Sequence, residues 1–288
     1  MNKCGISEND QRLLRNAANE CWYLHLDDGQ DLPLGGSRIG GEPDMPSNLP
    51  WPAGESEPMT FLLQLRLDDI SSTLPYGMPR SGMLYFFVED DDNSLSVKHK
   101  LLWSGDLSGL SRRKPEGRTA ETERRHSIAS ACSLTIVHGV DLPLSEDSLS
   151  LALNEDDDGF DKRCALENLL RGSDDREAVC GKLFGSFSVH NQVRKNVPAL
   201  FLGHDTESSS EAHFGDLYAI IEANRQKAEV NPGLLDHEIA LWSRLLWLDS
   251  NFKVGFNIWD AGSYSVLMRI DDIAPHNFER SHVMLETC

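Results

Sequence analysis

The chain has 288 residues, 40% of them hydrophobic and 25% charged, which is the composition of a globular protein. Its formal net charge is −19 at pH 7, from 46 acidic and 27 basic residues. So large an acidic excess repels nucleic acid and anionic membranes, and neither is expected as a partner. The excess either keeps the protein soluble or provides a surface that binds a basic protein.

The apolar runs and the cysteines predict a cytoplasmic protein. Runs such as "MTFLLQL" and "MLYFFV" are far shorter than the ~18 residues of a membrane span. The polar N-terminus "MNKCGISENDQRLL" lacks the apolar region of a signal peptide. The six cysteines are dispersed without a CxxC pair, which indicates reduced thiols rather than a disulfide framework.

The first part of the chain predicts a helix and then two strands. Apolar residues at helical spacing predict a helix over 8–24; they are Leu13, Leu14, Ala17, Ala18, Cys21 and Trp22. The proline-rich loop, residues 37–52, reads "SRIGGEPDMPSNLPWP" and contains little that extends a helix or a central strand. Runs at 59–70 and 83–90 are apolar at nearly every position, so we expect antiparallel strands buried on both faces.

Residues 104–127 differ in composition from their surroundings. They carry a group of basic residues in an otherwise acidic chain, namely Arg112, Arg113, Lys114, Arg118, Arg124 and Arg125. The composition predicts a flexible linker or exposed loop. The alternative is an arm that docks on an acidic surface.

The second part mixes helices and strands. Its patterns predict a strand at 133–138, a helix near 160–171 that ends at Gly172, a short helix from Ser173 to about 182, and a helix over 214–228. Strands are predicted near 244–249, at "VGFNIWD" and at "SYSVLMRID", before the final "HVMLETC".

The two parts share a degenerate pattern. "SRIGGEP", "FLLQLRLDD" and "SGMLYFFVEDD" correspond in order to "GKLFGSF", "SRLLWLDSN" and "AGSYSVLMRIDD". We therefore predict an α+β, β-rich fold of two degenerate repeats, with mainly antiparallel sheet and peripheral helices. In this interpretation residues 1–288 form a single globular unit, with a first repeat at about 1–103, the linker at 104–127 and a second repeat at about 128–288.

An ordered set of motifs resembles the YwqG-like family of bacterial proteins. The motifs are "SRIGGEPDMP", "WP" at 51–52, "MTFLLQLRLDDI", "LPYGMPRSGMLYFFVEDD" and "FNIWDAGSYSVLM". The resemblance implies a cytosolic α+β protein with a twice-repeated β-rich core, and it implies no reaction. The chain departs from the family where Trp247 replaces the glutamine that would match Gln64. The second loop, "FGSFSVHNQ", also lacks the family's proline, which weakens the case for a symmetric site on that side.

The sequence carries no complete catalytic or metal-binding motif. It contains no GxSxG elbow, no P-loop and no HExxH. The closest metal-like groups are His204 to His213 and the acidic stretch 154–161, whose spacings fit zinc and calcium sites poorly. We therefore predict no catalytic residues, no metal and no cofactor.

Eight residues are candidates for ligand binding. They are Arg38, Gly40, Gly41, Trp51, Gln64, Trp259, Asp260 and Gly262. The glycines beside Arg38 either form an anion-binding nest or permit positive φ in a tight turn below a core lid, Trp51. Gln64 on its apolar strand either bonds to the proline-rich loop or binds a ligand, and Asp260 is more typical of a turn than of a catalytic acid.

Two functions follow from these observations. The first is a non-enzymatic binding protein whose acidic surface meets a basic protein partner, for example as an immunity or antitoxin-like protein that neutralises a toxin. The alternative is a small-ligand-binding protein or enzyme that uses a cleft between the two repeats, where Arg38, Gln64 and Asp260 converge.

Overall fold

The computed structural model of the chain describes residues 7–27, 32–89, 94–116, 128, 130–142, 157–186, 192–202 and 214–286. The elements of its first part are helix α1 (Glu8–Ala17) and strands β1 (Asn19–Leu26), β2 (Arg38–Ile39), β3 (Asp44–Met45), β4 (Thr60–Arg66), β5 (Met83–Val88), β6 (His99–Ser104), β7 (Ser111–Arg112) and β8 (Cys132–Asp141). The predicted strands at 83–90 and 133–138 are thereby confirmed, and the strand predicted at 59–70 is confirmed as far as Arg66, after which Leu67–Asp69 form a 3-10 turn.

The second part contributes five helices and four strands in the described ranges. They are α2 (Asp157–Arg171), β9 (Val179–Phe184), α3 (Gln192–Leu200), α4 (Phe214–Val230), α5 (Pro232–Ala240), β10 (Trp242–Asp249), β11 (Ser263–Arg269), α6 (Ile270–Ile273) and β12 (His282–Glu286). The predicted helices at 160–171 and 214–228 and the strand at 244–249 are confirmed, and the strand predicted at 263–271 is confirmed as far as Arg269. None of the helices in the described ranges is long and apolar enough to span a membrane.

Three predicted elements are wrong. The first helix ends at Ala17, and the apolar residues that follow belong to β1, where Cys21 to Leu24 are all buried. A run buried at consecutive positions is typical of a central strand. Here that run continues the helical spacing of α1, which is why the sequence predicted one longer helix. The short helix expected at 173–182 is instead a 3-10 turn, Arg176–Ala178, followed by β9, and the strand expected at "VGFNIWD" is a tight loop closed by an Asn251–Phe256 bridge.

The sheet is antiparallel and nearly closed. Its ten strands lie in the order β12-β11-β10-β9-β1-β8-β2-β4-β5-β6. Residues 94–97, here called the strap, precede β6 and hydrogen-bond to the far edge strand β12. The Val97 N–H donates to the Val283 carbonyl at 2.9 Å, and the Leu285 N–H donates to the Ser94 carbonyl at 2.8 Å. The strap therefore brings the two ends of the sheet together along a seam between β6 and β12.

One hydrophobic core lies inside this curved sheet. It contains Leu63 and Phe86 from the first part and Leu246 and Tyr264 from the second. The rings of Phe86 and Tyr264 touch edge to face, with centroids 6.1 Å apart. Helices α3, α4 and α5 pack together outside the sheet over a second apolar cluster around Phe201 and Trp242.

The two parts run outward from the middle of the sheet in matching order. Strands β2, β4, β5 and β6 lie on one side, and β9, β10, β11 and β12 lie in the same order on the other. A β-bulge falls at Leu62 in β4 and at Leu245 in β10, which are equivalent positions in the two sequence patterns. The duplication itself stays a prediction, and these two correspondences support it.

Candidate functional site

The start of the proline-rich loop is held by a buried carboxylate. Asp44 forms an ion pair with Arg38, and the two side chains are 0% and 2% exposed. Asp44 Oδ2 also accepts from the Gly35 N–H at 2.7 Å, and its Oδ1 accepts from Arg112 Nε at 3.1 Å. Burial lowers the pKa of the Arg38 guanidinium to about 10, which still leaves it charged at neutral pH. Asp44 therefore ties three separate segments of chain together.

Gln64 belongs to the same network. Its Oε1 accepts from the Asp44 N–H at 2.7 Å, and its Nε2 donates to the Gly36 carbonyl at 2.7 Å. Tyr85 on the next strand donates its hydroxyl to the Asp44 carbonyl at 2.8 Å. The amide of Gln64, which is fully buried, thus makes the structural hydrogen bonds to the loop that one of the two sequence interpretations expected.

The paired glycines make the tight turn. Gly40 and Gly41 have φ of +69° and +70°. A Cβ on Gly40 would lie 2.6 Å from Ile128 Cγ2, and one on Gly41 would lie 2.7 Å from Ala131 Cβ. Only glycine combines this backbone conformation with such close approach.

The first residues of the predicted linker hold the loop in place. Strand β7 pairs with β3, so that Arg112 lies opposite Asp44. Arg113 donates to the Leu49 carbonyl at 2.6 Å, and Lys114 pairs with Glu42 at 3.0 Å. The rest of this basic stretch, residues 117–127, lies outside the described residues.

The end of the proline-rich loop forms one wall of a cleft. Trp51 donates its indole N–H to the Met59 carbonyl at 3.0 Å and packs edge to face on Phe87 at 5.3 Å. Trp51 and Leu49 cover the apolar cluster beneath them, as the predicted lid would. The outer surface of Trp51 remains half-exposed and faces the cleft.

The cleft lies on the seam and has a volume of about 430 Å³, within the usual range for ligand pockets. One wall is Leu49–Ala53, the floor is β6 from Lys100 to Trp103, and the opposite wall carries His276, Phe278 and Glu279. His276 packs on Trp103 with ring centroids 4.5 Å apart. We call this space the seam cleft; it is lined by residues from both halves of the chain.

The second group of sequence candidates lies elsewhere. Asn257 bonds to both Trp259 and Ala261 and holds the tight loop closed, with Trp259 and Ala261 at φ of +51° and +55°. Trp259 and Asp260 are exposed, while Gly262 is buried and its carbonyl accepts from Ser250. Arg38 and Gln64 are brought together by direct pairing of β2 with β4, but none of their hydrogen bonds involves residues 259–262. The ligand-binding role of the eight candidates stays a prediction.

A family model described as "Domain of unknown function (DUF1963)" matches residues 37–287, which is most of the chain. The chain belongs to this family. No curated protein matches it. The resemblance to the YwqG-like proteins is more specific than this family match, and it is compatible with the match because YwqG itself belongs to DUF1963. The DUF1963 match begins at Ser37, the first residue of the proline-rich loop.

A second buried carboxylate in the DUF1963 fold was not expected from the sequence. Asp141 ends β8, and its Oδ2 accepts from Lys182 Nζ at 2.7 Å and from Arg244 Nη2 at 3.3 Å. Burial lowers the pKa of both cations, and the nearby charge of Asp141 partly offsets this. Lys182 lies opposite Trp247 on β10, as Arg38 lies opposite Gln64 on β4. Each half of the DUF1963 fold thus contains a buried acid that lies between two basic side chains.

The sequence also did not predict the walls of the seam cleft. Trp103, His276 and Phe278 lie in two segments more than a hundred residues apart, and no local pattern connects them. In the described part of the chain, no three potential metal ligands lie close enough together to hold an ion. Of the stretches considered as metal sites, residues 154–156 and 204–213 lie outside the described residues.

Proposed function

We propose that this DUF1963 protein is a YwqG-like binding protein of the cytoplasm that carries out no catalysis and recognises its ligand in the seam cleft. The observation that carries the proposal is the cleft itself, where four aromatic rings from three segments meet in about 430 Å³. Aromatic side chains supply large contact area at low entropic cost and dominate the energetics of many binding sites.

The chemistry of the lining supports binding rather than reaction. Among the described residues that line the cleft there is one imidazole, His276, and no hydroxyl or thiol that it could activate. Lys100 and Glu279 are the charged side chains of the lining, and both are exposed. The side chains are thus arranged for apolar contact with charges at the rim.

The position of the cleft supports a site between two repeats. Its floor and one wall come from the first predicted repeat and its other wall from the second. The matching strand order on the two sides of the sheet supports the duplication that this proposal assumes. The residues that meet in the cleft differ from the Arg38, Gln64 and Asp260 of the sequence hypothesis, and Trp51 is the one sequence candidate among them.

The test is a thermal-shift screen of a metabolite library and a peptide library against four proteins. They are the unaltered chain, Trp51→Ala, Trp103→Ala, and Phe252→Ala as a control that removes an exposed aromatic outside the cleft. We expect compounds that raise the melting temperature of the unaltered chain and of Phe252→Ala but not of the two cleft variants. Hits that stabilise all four proteins equally would contradict a role for the cleft.

A second candidate function rests on the net charge of −19. A basic protein, such as a toxin, would be attracted to this surface, and association would be fast and sensitive to salt. The test is capture of a partner from native lysate at low and high ionic strength, with groups of exposed acids reversed to lysine. Stoichiometric capture that neither salt nor charge reversal weakens would contradict an electrostatic interface.

A further inference from the structure

The floor of the seam cleft is the unpaired edge of the sheet. Strand β6 ends the strand order and, in the part of the chain that the structure describes, pairs with β5 alone. Just beyond the ends of these two strands, the Glu89 N–H donates to the Lys98 carbonyl at 2.8 Å. This bond shows which residues of β6 direct their backbone groups toward β5 and which direct them away. In an antiparallel pair the backbone groups of alternate residues face the partner. Those of Lys100 and Leu102 therefore face β5, and those of Leu101 and Trp103 face outward into the cleft.

Among the residues that the structure describes, these outward groups are unpaired. Within the described ranges, neither Leu101 nor Trp103 makes a backbone hydrogen bond on its outer side. Leu101 and Trp103 both line the cleft, so these groups border the space that an occupant would fill. Buried backbone groups are nearly always hydrogen-bonded, because leaving one unpaired costs free energy. An occupant that offers backbone donors and acceptors would satisfy them.

The two walls of the cleft lie on opposite faces of β6, where they would contact the side chains on both faces of an added peptide strand. Leu102 packs with Leu49 and Trp51 on one face of β6, whereas Leu101 and Trp103 belong to the core on the other face, which also contains Phe278. Successive side chains of an added strand point to opposite faces. They would lie in turn against the Leu49–Ala53 wall and the His276–Phe278 wall.

Building on the proposed function, we propose that the ligand of the seam cleft is an extended, basic segment of a partner protein that pairs with the outer edge of β6. The backbone pairing supplies affinity, and the two aromatic walls select apolar side chains at successive positions, one wall for each face of the segment. The charge follows from the acidic chain, whose 46 acidic residues outnumber its 27 basic ones. Glu279 on the cleft wall has no ion-pair partner among the described residues and is placed to pair with a lysine or arginine of the segment, while Lys100 offsets part of the local charge.

The probe is a library of random peptides displayed on phage and selected on the full-length protein, with Trp51→Ala protein used to remove binders that do not need the cleft. Selected peptides are synthesised, and their affinities are measured by calorimetry. We expect sequences that combine a short apolar run, which lies between the two walls, with basic residues beside it. Methylating the backbone nitrogen of every other residue should weaken binding by about tenfold, and methylating the residues between should not.

A matched pair of variants tests the same contact from the protein side. Trp103→Ala and Trp103→Pro both remove the indole, but only proline also removes the outward N–H. Proline is tolerated on an edge strand where the N–H faces away from the sheet. We expect Trp103→Pro to bind the selected peptides about tenfold more weakly than Trp103→Ala, with equal circular dichroism spectra.

The results of these experiments distinguish strand pairing by a peptide from ligand binding in the seam cleft, on which it rests. A flat methylation scan, or equal binding by the two Trp103 variants, would overturn strand pairing. If no peptide requires Trp51 for binding but metabolites do, the ligand is a small molecule. That result contradicts strand pairing by a peptide and supports the proposed function. If every binder found binds equally well without Trp51 and without Trp103, both strand pairing and ligand binding in the seam cleft are contradicted.

Discussion

At the scale of single residues, two buried carboxylates organise the fold. Asp44 and Asp141 each lie between two basic side chains, and both also accept from backbone N–H groups. A buried charge is tolerated only when it is paired and hydrogen-bonded, because removing it from water is costly. Each carboxylate therefore fixes the relative positions of segments distant in sequence, including the loop that builds one wall of the seam cleft.

Replacing Asp44 by alanine should be strongly destabilising. The change leaves Arg38 buried without its counter-ion, and breaking a buried pair in this way costs about 3–5 kcal/mol. The free energy of unfolding in urea measures the loss. Glu116→Gln, at an exposed acid, is the control and should change stability by no more than about 0.5 kcal/mol. Equal effects of the two changes would contradict the role given to Asp44.

Gly40→Ala tests the close approach of the loop to Ile128. Alanine at Gly40 incurs the cost of positive φ and also a clash, with its Cβ only 2.6 Å from Ile128 Cγ2. Gly172 has a similar φ of +73° but nothing within 4 Å of its Cβ position. We expect Gly172→Ala to cost about 1–2 kcal/mol from backbone conformation and Gly40→Ala to cost clearly more. Equal shifts in the urea midpoint would show that the contact with Ile128 is unimportant.

At the scale of elements, the strands were predictable where their apolar runs were isolated. The runs around β4, β5 and β11 stand between glycine-, proline- or acid-containing turns and were placed within a few residues. The boundary between α1 and β1 was missed because Ala17, Ala18 and Cys21 continue a helical spacing into a strand. Periodicity over a short window does not decide between these structures, and pairing with β8 and β9 does so here.

The strap gives the seam a dependence on pH. His282 Nε2 hydrogen-bonds to the Leu95 carbonyl at 2.8 Å, and burial lowers the pKa of His282 to about 4. His99 beside it is similarly lowered by burial to about 4. In the unfolded chain these groups have a pKa near 6.5 and bind protons first. Stability is therefore lost as pH falls from about 6.5 toward 4.

This dependence can be isolated with His282→Gln, which keeps a donor for the Leu95 carbonyl but does not titrate. We expect its unfolding free energy to fall less steeply than that of the unaltered chain between pH 6.5 and 5, above the range where most carboxylates titrate. Chemical denaturation at a series of pH values gives both slopes. Parallel slopes would mean that His282 does not couple protonation to folding.

At the scale of the whole molecule, the sequence predicted the class of the fold but not its closure. Alternation and apolar runs specify which residues form strands, whereas the duplication that the repeated pattern predicts stays a prediction. That the strap would join β6 to β12 depends on contacts between residues nearly two hundred positions apart, such as Val97 and Val283. The seam cleft follows from that closure, so its walls could not be predicted, although Trp51 was.

The net charge of −19 predicts how the whole molecule responds to salt. Charge of one sign repels itself in the compact state, and salt screens this repulsion, with a Debye length of about 10 Å at 0.1 M. We expect the melting temperature to rise by a few degrees as sodium chloride increases from about 0.01 to 0.15 M. A variant with several exposed acids changed to glutamine should start at a higher melting temperature and rise less. A fall with salt in the unaltered chain would mean that its surface ion pairs outweigh the repulsion, and the acidic surface would then be a weaker attractor for a basic partner than its net charge suggests.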